Sequence, residues 1–458
     1  MMATPAKFVL IGGGSYAWTP TLITDIALNP ALKGLHIVLQ DIQGAPLKTM
    51  VPLCQKISAA VGADLQIEGA TKLAACLPGA DFVGLTISTG GPAADSLDLE
   101  IPWRYQINQT VADTVGPGGW SRALRNIPVV VEIVRQVEAL APRAWFMNYT
   151  NPMTTLTRAI NRTSRVRNFG ICHELQGLLL HLAYFFGVDW QTDFSIKLAG
   201  INHLIWILEM TVKGENGLAL LKKYAADPAR FKKLGSLGMP DELVHGGGVA
   251  PGQSVKFDLL ERTGYLPAAG DSHLAEFLPF YLNPPAAATR WGFKIGEKAH
   301  TFARADGREV CRQRCDELLS GKLPLRLSHS HEHADKTIAA LMGIGAPLLT
   351  PLNLPNIGQL DNLPRQAVVE TLAMVSGNCV QPLAVGTLPE TILRYLMQHL
   401  PNQEMIVEAG LTGNRELAVL ALANDPAVPN PDLAAKLAAD FFAAFKPLLP
   451  QFNGQWSA

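Results

Sequence analysis

The chain has 458 residues, too many for one hydrophobic core, so two domains are expected. A formal net charge of -1 with 48% hydrophobic residues gives no reason to expect nucleic acid or an anionic membrane surface as a partner. No apolar run reaches spanning length, no signal segment precedes the first strand, and the six cysteines are scattered without a disulfide framework, which together point to a reduced, cytoplasmic enzyme.

Lys7–Ile11 is a short apolar run ending in glycines, the pattern of a buried parallel strand. Similar runs are expected to form strands over residues 35–39, 81–87, 144–147 and 166–171, with helices between them such as 128–140. Alternation of this kind predicts a parallel sheet with helices on both faces, and ligands at the C-terminal ends of its strands. Beyond about residue 190 the pattern changes. Residues 194–199 and 204–210 read as strands flanking a tight turn at Gly200-Ile201-Asn202-His203, and helices are expected over 365–375, 390–399 and 431–445. The expected fold class is α/β: an N-terminal Rossmann-like dinucleotide-binding domain over residues 1–192 and a mixed α/β domain over 193–458, with the active site between them.

Gly12-Gly13-Gly14-Ser15-Tyr16-Ala17 fits G-x-G-x-x-A directly after the first strand. Gly12 allows the tight turn, Gly14 lets the backbone approach a pyrophosphate, and the helix N-terminus behind Ser15 and Tyr16 faces the phosphates. Asp41 ends the second strand, where a carboxylate accepts hydrogen bonds from the ribose hydroxyls and repels a 2′-phosphate, so NAD is favoured over NADP. Thr89, in the loop after the third run, is a further expected cofactor contact.

Cys172 and His203 come from distant segments, yet each follows an expected strand. Taken singly, each is more often a packing residue. Taken together, thiolate and imidazole suit a transition metal, and two protein ligands leave positions open for adjacent substrate oxygens. Asn151, in Thr150-Asn151-Pro152-Met153, offers a donor and an acceptor to a sugar hydroxyl, or alternatively caps the following helix. His329, His331, Glu332 and His333 form a weaker second metal candidate, and Cys311 and Cys315 read as packing residues.

These residues resemble glycoside hydrolase family 4, whose members depend on NAD and a divalent metal. The resemblance runs almost end to end: Gly12 to Ala17, Gly116-Pro117-Gly118-Gly119, Thr150-Asn151-Pro152, the Cys172 segment, Gly200-Ile201-Asn202-His203, Gly264-Tyr265-Leu266-Pro267, Gly270-Asp271-Ser272-His273, Glu276-Phe277, Asn353-Leu354-Pro355-Asn356 and Asn362-Leu363-Pro364. It implies a lactate/malate dehydrogenase-like fold, Cys172 and His203 as ligands of a metal that is usually Mn2+, Asn151 on the sugar, and Tyr265 as the base. Asn202 and Glu174 are further candidate sugar contacts. The implied chemistry is transient oxidation at C3, deprotonation at C2, elimination, and water addition, with no net consumption of NAD.

Cys172-His173-Glu174 is similar to the branch acting on unphosphorylated α-glycosides, α-glucosidases in particular. The loop Ser88-Thr89-Gly90-Gly91-Pro92-Ala93-Ala94-Asp95 agrees, because it has no Lys or Arg for a phosphate and ends on a repelling carboxylate. α-Galactosides and α-glycosiduronides are the alternatives; a uronide needs a cation, for which Arg290 and Lys294 are unassigned candidates. Phospho-α-glucosidases place an Asp general acid where this chain has His173; His173 is the favoured replacement, with Glu174 or a metal-bound water as the alternatives, and otherwise His173 contacts the sugar. Rivals of other classes are a 2-hydroxy-acid dehydrogenase and a non-catalytic sugar or nucleotide sensor. A homodimer or homotetramer is implied by the resemblance.

Overall fold

The computed structural model describes residues 5–225, 253–295, 305–330 and 332–454. Six parallel strands form the N-terminal half of a sheet: β1 (Lys7–Ile11), β2 (His36–Gln40), β3 (Gln66–Ala70), β4 (Phe82–Leu85), β5 (Trp145–Asn148) and β6 (Arg167–Gly170). Their order, β3-β2-β1-β4-β5-β6, is that of a doubly wound dinucleotide-binding sheet. The chain reverses direction across the sheet between β1 and β4, which opens a crevice at their C-terminal ends.

The remaining strands are β7 (Phe194–Ile201), β8 (Leu204–Val212), β9 (Glu215–Asn216), β10 (Leu266–Pro267), β11 (Leu348–Pro355), β12 (Val368–Ser376) and β13 (Cys379–Pro382). They pair antiparallel and extend the same sheet, because β11 docks on β6 where Asn353 faces Gly170. A side chain at Gly170 would have its Cβ 2.7 Å from Met153 and 3.0 Å from the Asn353 Cβ, so glycine is what lets β6 and β11 meet. One 13-stranded sheet therefore runs through both regions. One core lies under the helices Trp18–Leu28, Gly44–Val61 and Ala334–Leu341; another fills the opposite face under Gly116–Leu140 and Met153–Thr163.

The sequence reading needs correction in four places. Residues 365–375 are not helical; Val368–Ser376 is the central strand β12, paired with β7, β11 and β13. A strand buried on both faces is a continuous apolar run, and such a run carries no period to separate it from a buried helix. β3 escapes a hydrophobic reading because it is an edge strand with Ile67 as its sole buried side chain. Two helices are also longer than expected, Gly116–Leu140 and Glu390–Thr412, with Pro128 and Pro401 in their interiors. Among the described residues, no helix is long and apolar enough to cross a membrane.

Candidate active site

The glycine loop is built as a cofactor cradle. Gly12 has φ +85°, and a Cβ there would lie 2.2 Å from the Thr86 carbonyl oxygen. Gly12 and Gly13 both donate to the Gln40 carbonyl, at 2.9 and 2.8 Å, which closes the loop against β2. The Asp41 carboxylate accepts from the Gly14 N–H at 3.1 Å and from the Gln43 N–H at 2.9 Å, so it is anchored at the strand end and a Cβ at Gly14 would strike it. Ser15 and Tyr16 lead into the helix Trp18–Leu28, and the Ser15 hydroxyl accepts from the Trp18 N–H. Across the crevice, Asn126 and Arg125 hold the backbone of Thr89, whose buried hydroxyl has no partner. The tight backbone packing and that orphaned hydroxyl fit a dinucleotide laid across the strand ends.

Asn202 and His203 form the two-residue turn between β7 and β8, with His203 at φ +63°. His203 is 4% exposed, and its Nδ1 lies 2.8 Å from the Thr114 hydroxyl. That hydroxyl donates its one proton to Asp113 at 2.7 Å, so it accepts from His203 Nδ1–H. The remaining nitrogen, Nε2, then carries the lone pair that a metal needs. The His203 ring stacks on His273 with 3.7 Å between centroids. Burial and the neighbouring His273 hold His203 down at about 3, so it is neutral at pH 7. Among the described residues, the His, Cys, Asp and Glu atoms grouped within 4.8 Å of one another belong to Asp113, His203 and His273; Cys172 is not in that group.

Cys172 lies just beyond β6 and is 5% exposed. Burial pushes its thiol up, and Glu370, Glu174 and Glu332 push the same way, while the Glu174 N–H points toward the sulfur. Buried acidic surroundings of this kind favour a cation. Glu370, itself 1% exposed on β12, is pushed by burial to about 7. The donor set of soft sulfur, neutral imidazole and carboxylates fits a divalent transition metal.

Glu174 ties these parts together. Burial drives it up, but His273, His173, His203 and Lys256 outweigh burial and hold it at about 2. Its carboxylate accepts from the Gly270 N–H at 2.6 Å, which draws the 264–273 segment onto the Cys172 loop. Tyr265 sits in that segment, after a left-handed Gly264, its backbone clasped by Thr263 and its neighbours Leu266 and Pro267 paired with β8. Glu276 follows on the helix Asp271–Phe277. It accepts the backbone N–H groups of Thr110, Val111 and Ala112 at 2.6, 2.6 and 2.8 Å, and so positions the adjoining Asp113 and Thr114.

Asn151 caps no helix. Its amide donates to Asp113 at 3.1 Å, its carbonyl accepts from Arg122 and Asn126, and its side-chain oxygen is buried and unpartnered. The Asn202 side chain is likewise buried, with its oxygen unpartnered and its amide turned toward Glu370. Orphaned polar atoms beside Asp113 and His203 suit a polyol.

His173 pairs with Glu332, Nδ1 to Oε1, at 3.0 Å. That carboxylate raises it, against burial, to about 9, so it is protonated at neutral pH. The His173 ring is 6.2 Å from that of Trp18, which brings the cofactor loop beside the Cys172 loop. Asp95, which no cation neighbours in sequence, is paired with Arg122 and accepts from Ser88. Arg290 lies against Trp291.

The His329–His333 segment is divided among separate partners: Glu332 serves His173, His333 stacks on Trp190, and His329 reaches Asp25 at 4.0 Å. His331 lies outside the described residues. Asp25, on the helix Trp18–Leu28, holds the segment through the Ser330 N–H at 2.6 Å and the Ser330 hydroxyl. Burial pushes Asp25 up to about 7, with the Ser330 bonds opposing and Asp335 and Glu332 adding to the rise. Because this lies above the ordinary carboxylate value, the folded state binds the proton more tightly than the unfolded chain. The stabilisation is full below about pH 4 and is lost as pH rises through about 7. In Asp25→Asn the fall in Tm between about pH 5 and pH 8 is expected to shrink by a few degrees; an unchanged fall would assign it to other groups.

Asp113 and His273 escaped the sequence reading as site residues, and Glu332 entered it only as part of the weaker second metal candidate. Asp113 directly precedes Thr114 and the Gly116 motif, and His273 closes the Gly270 motif, so both stood beside a recognised signal. Nothing local marked the pairing of Glu332 with His173, which is 332 − 173 = 159 positions away.

Comparison with known proteins matches residues 7–187 to a model described as family 4 glycosyl hydrolase and residues 198–428 to the C-terminal domain of the same family. An alpha-galacturonidase of Thermoanaerobacter italicus is 34% identical over 430 residues, covering 92% of each chain. A Bacillus subtilis protein solved under the name glucosidase lplD superposes with a TM-score of 0.86 at 32% identity, covering 95% of this chain and 99% of that one. A 6-phospho-alpha-glucosidase from gut microorganisms, solved with NAD and Mn2+, shares the fold with a TM-score of 0.81 at 20% identity, covering 98% of this chain and 100% of that one.

Proposed function

The chain belongs to family 4 of the glycosyl hydrolases, and on that premise we propose that it hydrolyses unphosphorylated α-galacturonides with NAD+ and a divalent cation, Mn2+, as retained cofactors. The observation that carries the substrate is the end-to-end likeness, at 34% identity, to an alpha-galacturonidase. It moves the α-glycosiduronide alternative ahead of the α-glucosides that the Cys-His-Glu resemblance implied. The loop from Ser88 to Asp95 supports an unphosphorylated sugar, since it has no Lys or Arg of its own and the neighbouring Arg122 is already committed to Asp95.

Gly12, Gly14, Ser15, Tyr16, Asp41 and Thr89 would hold NAD+, and Cys172 and His203 the metal. When bound, these groups supply a reversible hydride acceptor at C3 and a Lewis acid for its oxygen. The chain's own residues do the rest. Tyr265 removes the C2 proton. Asn151 and Asn202 bind sugar hydroxyls through the atoms left without partners. Glu174 keeps the Tyr265 segment closed on the Cys172 loop. His173 protonates the departing glycosidic oxygen, held charged for that task by Glu332. With NAD+ bound, the hydride would return to the sugar it came from, so NADH would not accumulate, unlike in a 2-hydroxy-acid dehydrogenase.

A panel of nitrophenyl α-galacturonide, α-galactoside, α-glucoside and their β and 6-phosphate counterparts, with NAD+, Mn2+ and reductant, tests the substrate. The α-galacturonide is expected to give the highest kcat/KM; a higher value on the α-glucoside would overturn the choice of sugar. His173→Ala is expected to lose about 10²–10⁴-fold on alkyl or disaccharide substrates and far less on nitrophenyl ones. Equal losses on both would reject the acid role.

A further inference from the structure

We propose that Arg308, contributed by the C-terminal region, is a cofactor-binding residue whose guanidinium holds the pyrophosphate of the dinucleotide. The inference rests on the NAD reading above and adds a residue from outside the nucleotide-binding motif.

Arg308 lies near the start of the helix Ala305–Ser320, which packs against Gly44–Val61 and touches Gly91–Arg104. Two side chains pin this helix to the cradle. The Cys315 thiol donates to the Tyr16 carbonyl at 3.2 Å, and Asp316 accepts from Thr49 at 3.3 Å. The helix is thus fixed across the mouth of the glycine loop by a residue of that loop. The Arg308 guanidinium stands 5.9 Å from the Tyr16 ring centre. On its other side, a Cβ built on Gly91 would lie 3.7 Å from Arg308 Nη1. The guanidinium therefore spans the gap between the loop after β1 and the loop after β4, where a dinucleotide crosses a sheet of this topology.

The charge count makes the same point. Arg312, one turn further on, is occupied by Glu309 and Asp316 at 2.6 Å each. Arg125, beneath the Thr89–Gly91 loop, is occupied by Asp98 at 2.7 Å. Arg308 is exposed and has no carboxylate partner among the described residues. Gly90 and Gly91 open one helix, and the glycine loop opens another, so two positive helix ends face the same gap. An unpaired guanidinium added to them suits the two negative charges of a pyrophosphate, which it can grip in bidentate fashion. The Asp41 carboxylate occupies the ribose end, which leaves the diphosphate as the anionic part to be met.

Titration calorimetry of the Mn2+-loaded full chain with NAD+, with ADP-ribose and with adenosine decides the matter, on wild type, Arg308→Ala and Arg308→Lys. Arg308→Ala is expected to weaken NAD+ and ADP-ribose by about tenfold or more, the scale of one charge-assisted hydrogen bond, and to leave adenosine unchanged. Arg308→Lys should recover part of the loss, and added salt should weaken the wild type more than the alanine variant. Wild-type affinity for NAD+ in Arg308→Ala would overturn the inference and leave the NAD reading intact. An equal loss on adenosine would also overturn it, since the residue would then shape the pocket instead of binding phosphate. Absence of NAD+ binding by the wild type would remove the NAD reading and the inference together.

Discussion

Cys172→Ser is expected to lower kcat/KM on α-glycosides by about 10³-fold, through loss of Mn2+ binding, while NAD+ binding persists. Lewis-acid stabilisation of developing charge is worth several kcal/mol, and each 1.4 kcal/mol is about tenfold in rate. Cys172 is 5% exposed, and burial first, then Glu370, Glu174 and Glu332, raises its pKa, so it is a poor thiolate until a cation arrives. Serine fits the space but offers a far less acidic, harder ligand. The second half of the site predicts a graded companion. Thr114 fixes the His203 tautomer by accepting from Nδ1, so Thr114→Val should weaken Mn2+ by about 10–100-fold without removing a ligand. Calorimetric Mn2+ titration checks both, and wild-type Mn2+ affinity in Cys172→Ser would refute the ligand assignment.

Tyr265→Phe is expected to lower kcat by about 10²–10⁴-fold while NAD+ affinity, Mn2+ affinity and Tm stay close to wild type. The change removes one hydroxyl and keeps the ring that packs on the core formed with Trp206 and Phe277. The backbone there is held by Thr263, by β8 and, through Gly270, by Glu174, so the segment does not depend on the hydroxyl for its position. Steady-state kinetics beside calorimetry separates the outcomes. Unchanged kcat would move the base elsewhere, and a collapse in Tm would make the residue structural.

Much of this arrangement was legible in the chain because its signals are local. Three consecutive glycines after an apolar run leave few alternatives to a phosphate loop, and the Gly200 to His203 turn announces itself by separating two apolar runs. What stayed hidden depends on tertiary partners. The charge on His173 is set by Glu332, the tautomer of His203 by Thr114, and the register of the 110–114 loop by Glu276, all reaching across the fold. β12 was misread for a different reason: six of its nine residues, including four in succession, are buried, and burial on both faces erased the alternation that identifies a strand. The sugar was harder still. Discrimination at C4 and C6 is made by individual side chains in loops, and the Cys-His-Glu signature that leans toward glucosides is compatible with the full-length likeness to a galacturonidase.

The most direct test of the whole account is hydrolysis of an α-galacturonide in D2O with NAD+ and Mn2+, followed by NMR of the released sugar. If Tyr265 takes the C2 proton, the product carries deuterium at C2 and no NADH builds up. A product that keeps its protium at C2 through complete turnover would contradict elimination, and with it the roles assigned to Tyr265, Cys172 and His203.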